Sequence, residues 1–127
     1  MPVEFSVTDK ALDEERCIVA VVGEVDLFTA PRLKAAINDA MEDGHIRIVV
    51  DLSETTFLDS TGIGILIGTF KRLRSRDGRL TLVNTHPHIA KTFDLTGLDQ
   101  LFTICRTREE ALAALDGYER ARPNAAG

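Results

Sequence analysis

Cys17-Ile18-Val19-Ala20-Val21-Val22 is an unbroken apolar run, short and rich in β-branched residues. Such a run predicts a strand buried on both faces, the kind found in parallel sheets covered by helices. Upstream, Val3, Phe5 and Val7 alternate with Glu4, Ser6 and Thr8, the period of a half-buried strand. The charged segment Leu12 to Arg16 between them reads as a turn, so the two strands form an antiparallel hairpin.

Downstream, Gly23-Glu24-Val25-Asp26 leads out of the central strand. Thr29 is placed to cap a helix with Pro31 in its first turn, where a missing N–H costs nothing. Leu33, Ala36, Ile37, Ala40 and Met41 share one helical face, and Gly44 supplies a left-handed C-terminal cap. A strand then runs from Ile46 to Leu52, with Asp51 at its close. A second helix is expected from about Thr61 to Arg76, ending at Asp77-Gly78, with Ile63, Leu66, Ile67, Phe70 and Leu73 as its apolar stripe. Arg79 to Val83 is a strand. His86-Pro87 opens a short helix carrying Ile89, Ala90 and Phe93, closed near Gly97. Leu101 to Cys105 is a last short strand. Thr107 and Glu110 are spaced as a capping box for a final helix presenting Leu112, Leu115 and Tyr118.

The predicted order is β-β-α-β-α-β-α-β-α. This is an α/β fold: a mixed, mostly parallel sheet with an antiparallel N-terminal strand and about four helices. One small domain is expected over residues 1–118, with 119–127 as a disordered tail. The chain has 127 residues, 44% hydrophobic and 28% charged, ordinary globular usage. Its 20 acidic against 15 basic residues leave a net charge of −5, which argues against nucleic acid as the main ligand. Cys17 and Cys105 lack zinc spacing and read as reduced core thiols. No signal peptide or membrane-spanning run is visible, so a cytoplasmic protein without membrane contact is expected.

The segment that resists a purely structural reading is Phe57-Leu58-Asp59-Ser60-Thr61-Gly62-Ile63-Gly64-Ile65-Leu66-Ile67-Gly68. Each glycine inside a helix costs about 0.8–1.0 kcal/mol relative to alanine. Close packing on the sheet and close approach by another molecule are the two explanations. Outside contact is favoured for Gly62 and Gly64, and both stay open for Gly68. Ile65 lies off the stripe, so it is either covered by a neighbouring loop or part of an exposed patch. Ser60 reads as the N-cap, at the positive end of the helix dipole. If the strands ending near Asp26 and before Asp59 are parallel neighbours, Asp26 and the Asp59-Ser60 turn share one sheet edge. Open α/β sheets place their sites there.

Other motifs carry less. Gly62-Ile63-Gly64 lacks the third glycine of a dinucleotide loop, and no Gly-Lys-Ser/Thr phosphate loop occurs. His86-Pro87-His88 has no third ligand in view, so no metal is expected. No histidine or cysteine flanks Ser60 as a base for hydrolytic chemistry. Lys71, Arg72, Arg74, Arg76 and Arg79 form a basic run, explained by a solvated helix end or by an acidic protein partner.

Gly23-Glu24-Val25-Asp26, Phe57 through Gly64, and Phe93-Asp94-Leu95-Thr96-Gly97-Leu98 together resemble the bacterial anti-sigma factor antagonists, a branch of the STAS domains. The resemblance covers roughly residues 3 to 117. It implies a binding module that is not an enzyme and acts in partner switching. In that scheme the unphosphorylated antagonist binds an anti-sigma factor serine kinase and frees the sigma factor. The kinase, holding Mg-ATP, phosphorylates the serine that corresponds to Ser60 and ends binding, and a PP2C-type phosphatase restores it. Asp26 and Asp59 would border that serine, and Thr61, Gly62, Ile63 and Gly64 would belong to the docking surface. The antagonist itself would need no cofactor and be a monomer or weak dimer when free. A STAS scaffold subunit of a stress-sensing assembly is the alternative.

Overall fold

In the computed structural model, residues 3–117 are described. Strands β1 (Ser6–Ala11), β2 (Arg16–Val25), β3 (Arg47–Leu58), β4 (Arg79–Val83) and β5 (Thr103–Cys105) form one sheet in the order β1-β2-β3-β4-β5. β1 is antiparallel to β2, and every other neighbouring pair is parallel. Helices α1 (Ala30–Glu42), α2 (Ser60–Arg74), α3 (Pro87–Thr96) and α4 (Arg108–Leu115) complete the chain. The expected α/β order and the antiparallel first strand are therefore observed.

Alternation along the parallel strands divides the interior. Val19, Val21, Ile48, Val50, Leu52 and Leu82 join Leu33 and Ile37 of α1, Leu66 and Leu73 of α2, and Ile89 and Phe93 of α3 in the main core. Ile18, Val49 and Val83 point to the other face, where Ala111 and Leu115 of α4 cover them. Burial on both faces is what the unbroken apolar run of β2 requires. Cys17 lies buried in the main core, and burial, with the charge of Asp9, pushes its thiol up to about 11. Neither cysteine is in a disulfide.

The largest departure from the sequence reading is the length of β2 and β3. The polar stretch Ser53–Thr56 hides the continuation of β3, yet the ladder runs on to pair Gly23 with Thr55 and Val25 with Leu58. Register shifts between Ala20 and Val22 and between Gly23 and Glu24 accommodate it. Gly23 is required here: its φ is +95°, and a Cβ would lie 3.2 Å from the Phe5 Cα. Thr55 is fully buried because its hydroxyl donates to the Val21 carbonyl at 3.0 Å.

Asp51 consequently does not close β3. It sits mid-strand facing α4, its carboxylate 2.6 Å from Arg108 Nε, and it also accepts from the Ser53 N–H at 2.9 Å. Burial raises its pKa, but these bonds outweigh burial and hold the carboxyl below the usual range.

Other boundaries move by a few residues. β1 begins at Ser6, though Phe5 stays buried. β5 begins only at Thr103, after a 3-10 turn at Leu98–Gln100. Gly44 and Gly97 take the left-handed conformation expected past helix ends, with φ of +94° and +76°. Thr107 accepts from the Glu110 N–H, but Glu110 reaches back to the Arg106 N–H rather than to Thr107 itself. α4 buries Ala111, Ala114 and Leu115, with Leu112 half-buried. Tyr118 and the expected tail at 119–127 lie outside the described residues.

Candidate functional site

The parallel pairing of β2 with β3 brings the ends of both strands to one edge. Val25 pairs with Leu58, and the Asp59 N–H donates to the Val25 carbonyl at 3.1 Å. Asp26 and Asp59, thirty-three residues apart in sequence, therefore leave neighbouring strands side by side. This is the juxtaposition expected at the carboxyl ends of parallel strands.

Asp59, not Ser60, is the N-cap of α2: its Oδ1 accepts from the Gly62 N–H at 3.1 Å. Ser60 occupies the first helical position and is exposed, and no hydrogen bond among the described residues holds its hydroxyl. The sequence reading assigned the cap to the wrong neighbour because serine and aspartate have similar N-cap preference. Freed of capping, Ser60 stands exposed at the start of the helix.

Asp26 performs the corresponding task on the β2–α1 loop. Its Oδ1 accepts from the Phe28 N–H at 2.9 Å and the Thr29 N–H at 3.0 Å. The Thr29 and Phe28 N–H groups hold its carboxyl below the ordinary carboxylate range, against a smaller contribution from burial. Thr29 stands at the N-cap position of α1 but makes no side-chain cap. Its hydroxyl instead donates to the Glu24 carbonyl at 2.8 Å and accepts from the Asp26 N–H at 2.9 Å. The loop is thus tied at both ends, and its middle faces outward: Leu27 is 66% exposed and Phe28 86%. Phe57, at the end of β3, is 40% exposed. Leu27 and Phe28 escaped the sequence reading. Their signal is two large apolar residues between a turn acid and a helix start, outside any apolar period.

The glycines of α2 divide differently from expectation. Gly62 is buried, and a Cβ there would lie 2.6 Å from both Leu58 Cδ1 and Val25 Cγ1, so its smallness answers to the sheet. Gly64 is exposed, and a Cβ on Gly64 or Gly68 would meet nothing within 4 Å. Close packing explains Gly62, one of the two positions for which outside contact is favoured, and explains neither Gly64 nor Gly68. The face of α2 on the sheet is centred on Gly62, Leu66, Thr69 and Leu73, while Ile63, Ile67 and Phe70 are half-buried at its margin. Ile65 is half-buried as well; helix α1, rather than a loop, flanks it across a groove of about 380 Å³ shared with Ile37, Gly64 and Gly68.

Of the basic run, Arg72 donates to Asn38 Oδ1 at 2.8 Å and Arg74 lies over the Phe70 ring. Both lie toward the far end of α2 from Ser60, though Arg72 also lines the groove shared by Thr61, Gly64 and Ile65. Among the described residues no group of three or more His, Cys, Asp or Glu is arranged to hold a metal. No helix there is long and apolar enough to cross a membrane.

The family model for the STAS domain matches residues 6–111. The chain belongs to the STAS domain family. It is similar to the anti-sigma-B factor antagonist of Listeria monocytogenes, 34% identical over 100 residues that cover 79% of this chain and 88% of that protein. The crystal structure of an anti-sigma factor antagonist from Mycobacterium paratuberculosis superposes with a TM-score of 0.80 at 34% identity, covering 89% of this chain and 95% of that one. The Bacillus cell fate determinant SpoIIAA in its phosphorylated form superposes with a TM-score of 0.66 at 27% identity, covering 87% and 98%. The antagonist resemblance and the STAS fold expected from the three motifs are thereby observed.

Proposed function

We propose that this STAS domain is an anti-sigma factor antagonist whose partner binding is switched off by phosphorylation of Ser60. The unmodified chain binds an anti-sigma factor serine kinase in the cytoplasm and releases the sigma factor. The kinase, holding Mg-ATP, transfers one phosphoryl group to the Ser60 hydroxyl, and a PP2C-type phosphatase removes it. The chain is substrate and binding module, not catalyst. The observation that carries this reading is the exposed Ser60 hydroxyl, unbonded at the first position of α2, beside the Asp26 and Asp59 turns. The docking surface comprises Thr61, Ile63 and Gly64, bordered by the Asp26 and Asp59 turns, with Gly62 supporting it from beneath.

The switch acts by charge at the interface. A phosphate adds about −1.5 to −2 charges at neutral pH. In the free domain the helix start attracts it by about 0.3–1 kcal/mol, while Asp26 and Asp59 repel it through screening solvent. Because Ser60 caps nothing, the fold has no bond to lose. In the complex the site loses its water, and an added charge without a basic partner becomes costly. A loss of about 2.8 kcal/mol would weaken binding about a hundredfold. The test incubates the chain with its kinase and Mg-ATP, maps the phosphate by tandem mass spectrometry and titrates both forms against the kinase. One phosphate on Ser60 and a large loss of affinity are expected. A phosphate elsewhere, or unchanged affinity, rejects the reading.

A further inference from the structure

We infer that Phe28 is the anchor by which the kinase grips this domain, and that Asp26 is a positioning residue whose task is to present it. The inference rests on the proposed function, because it takes the Ser60 kinase as the occupant of this surface. Phe28 is the most exposed large apolar side chain among the described residues, at 86%, with Leu27 beside it at 66%. Phe28 belongs to neither core cluster, and exposed apolar clusters of this kind mark contacts.

The loop that carries it is built rather than slack. Asp26 Oδ1 holds the Phe28 and Thr29 N–H groups, and the Thr29 hydroxyl fastens the same turn to the Glu24 carbonyl at 2.8 Å. An aromatic side chain on a loop already ordered in the free protein loses little freedom on binding, which is the property of an interface anchor. Its position selects the occupant. Phosphoryl transfer requires the kinase to bring its γ-phosphate in line with the Ser60 hydroxyl, and so to cover the surface around it. A stable interface covers about 800 Å² on each partner. Val25, whose carbonyl accepts from the Asp59 N–H at 3.1 Å, is only three residues before Phe28. A kinase seated on Ser60 therefore reaches this loop, and the matching feature on its surface is an apolar pocket.

The role of Asp26 separates from its charge. Asparagine keeps the Oδ1 acceptor and loses the charge, whereas alanine loses both. The experiment titrates the purified anti-sigma factor kinase of the same organism with wild-type chain, Phe28→Ala, Asp26→Ala and Asp26→Asn, and records each variant's melting curve and elution volume. Phe28→Ala is expected to weaken binding about thirtyfold or more without changing the melting temperature. Asp26→Ala is expected to weaken it about tenfold or more, and Asp26→Asn to retain most of the affinity. If the wild-type chain binds and Phe28→Ala binds equally well, the anchor is refuted while the proposed function stands. If Asp26→Asn fails as badly as Asp26→Ala, Asp26 acts by charge and its positioning role is refuted. A wild-type dimer that Phe28→Ala converts to monomer would make a second copy the occupant and overturn the inference. A wild-type chain that does not bind the kinase overturns the proposed function, and the inference with it.

Discussion

The two ends of β3 differ in whether their acidic residues have basic partners: Asp13 holds its turn through the Glu15 and Arg16 N–H groups, as Asp26 and Asp59 hold theirs, but it is also ion-paired. At the Arg47 end, acids pair with bases: Asp13 with Arg16 at 2.7 Å, Asp116 with Arg16 at 3.6 Å and with Arg47 at 3.8 Å, and Glu15 with Arg47 at 3.8 Å. These groups line a cleft of about 590 Å³. At the Leu58 end, Asp26 and Asp59 accept from backbone N–H groups, and large apolar side chains are exposed beside them. At the Arg47 end the charges satisfy one another, whereas at the Leu58 end Leu27, Phe28 and Phe57 stay uncovered beside the Asp26 and Asp59 turns.

Substitutions at the two ends separate packing, capping and ion pairing. The largest effect is expected from Gly62→Ala, where the new Cβ meets Val25 and Leu58. Overpacking of this kind costs typically about 1–3 kcal/mol, read as a lower urea midpoint. Gly68→Ala on the same helix should instead stabilise by about 0.5–1 kcal/mol, because open space surrounds it. Equal signs for the two would break the distinction between the inner and outer glycines.

Next comes the ion pair between the ends. Arg108→Ala leaves the Asp51 carboxylate, 6% exposed, without its cation. Arg108 is itself 45% exposed, so water replaces part of the loss and a cost of about 1–2 kcal/mol is expected in denaturant titration. Asp51 and Asp26 both have carboxyls held below 3.8. A depressed folded-state pKa stabilises above the unfolded value and ceases to do so as the pH falls through the folded value. Melting temperature should therefore be insensitive to these two acids near neutrality and fall as the pH drops below about 3.8. In Arg108→Ala the part due to Asp51 should be reduced.

Asp59→Ala removes the α2 cap and should cost roughly 1 kcal/mol, whereas Ser60→Ala should stay within about 0.5 kcal/mol of wild type. The reverse order would return the cap to Ser60. The smallest effect is expected at the opposite end, where Glu15→Ala breaks an exposed pair worth about 0–1 kcal/mol. That difference should disappear in high salt.

The residue sequence by itself determined the order of elements, because apolar period and turn chemistry are local. The run at Cys17–Val22, the helical face of α1 and the strand Arg79–Val83 are legible without any partner. So were the three motifs that carry the STAS resemblance. Tertiary structure decided what depends on pairing and burial. β3 continues through polar Ser53–Thr56 because β2 offers it a ladder, and Thr55 can be buried only because the Val21 carbonyl accepts its hydroxyl. Asp51 finds its cation across the sheet on α4, fifty-seven residues away. Which of Asp59 and Ser60 caps α2 is a matter of side-chain direction, since either residue type can do it. Gly62 and Gly68 are the same residue in the same helix, and only the sheet beneath one of them distinguishes a packing requirement from an open surface.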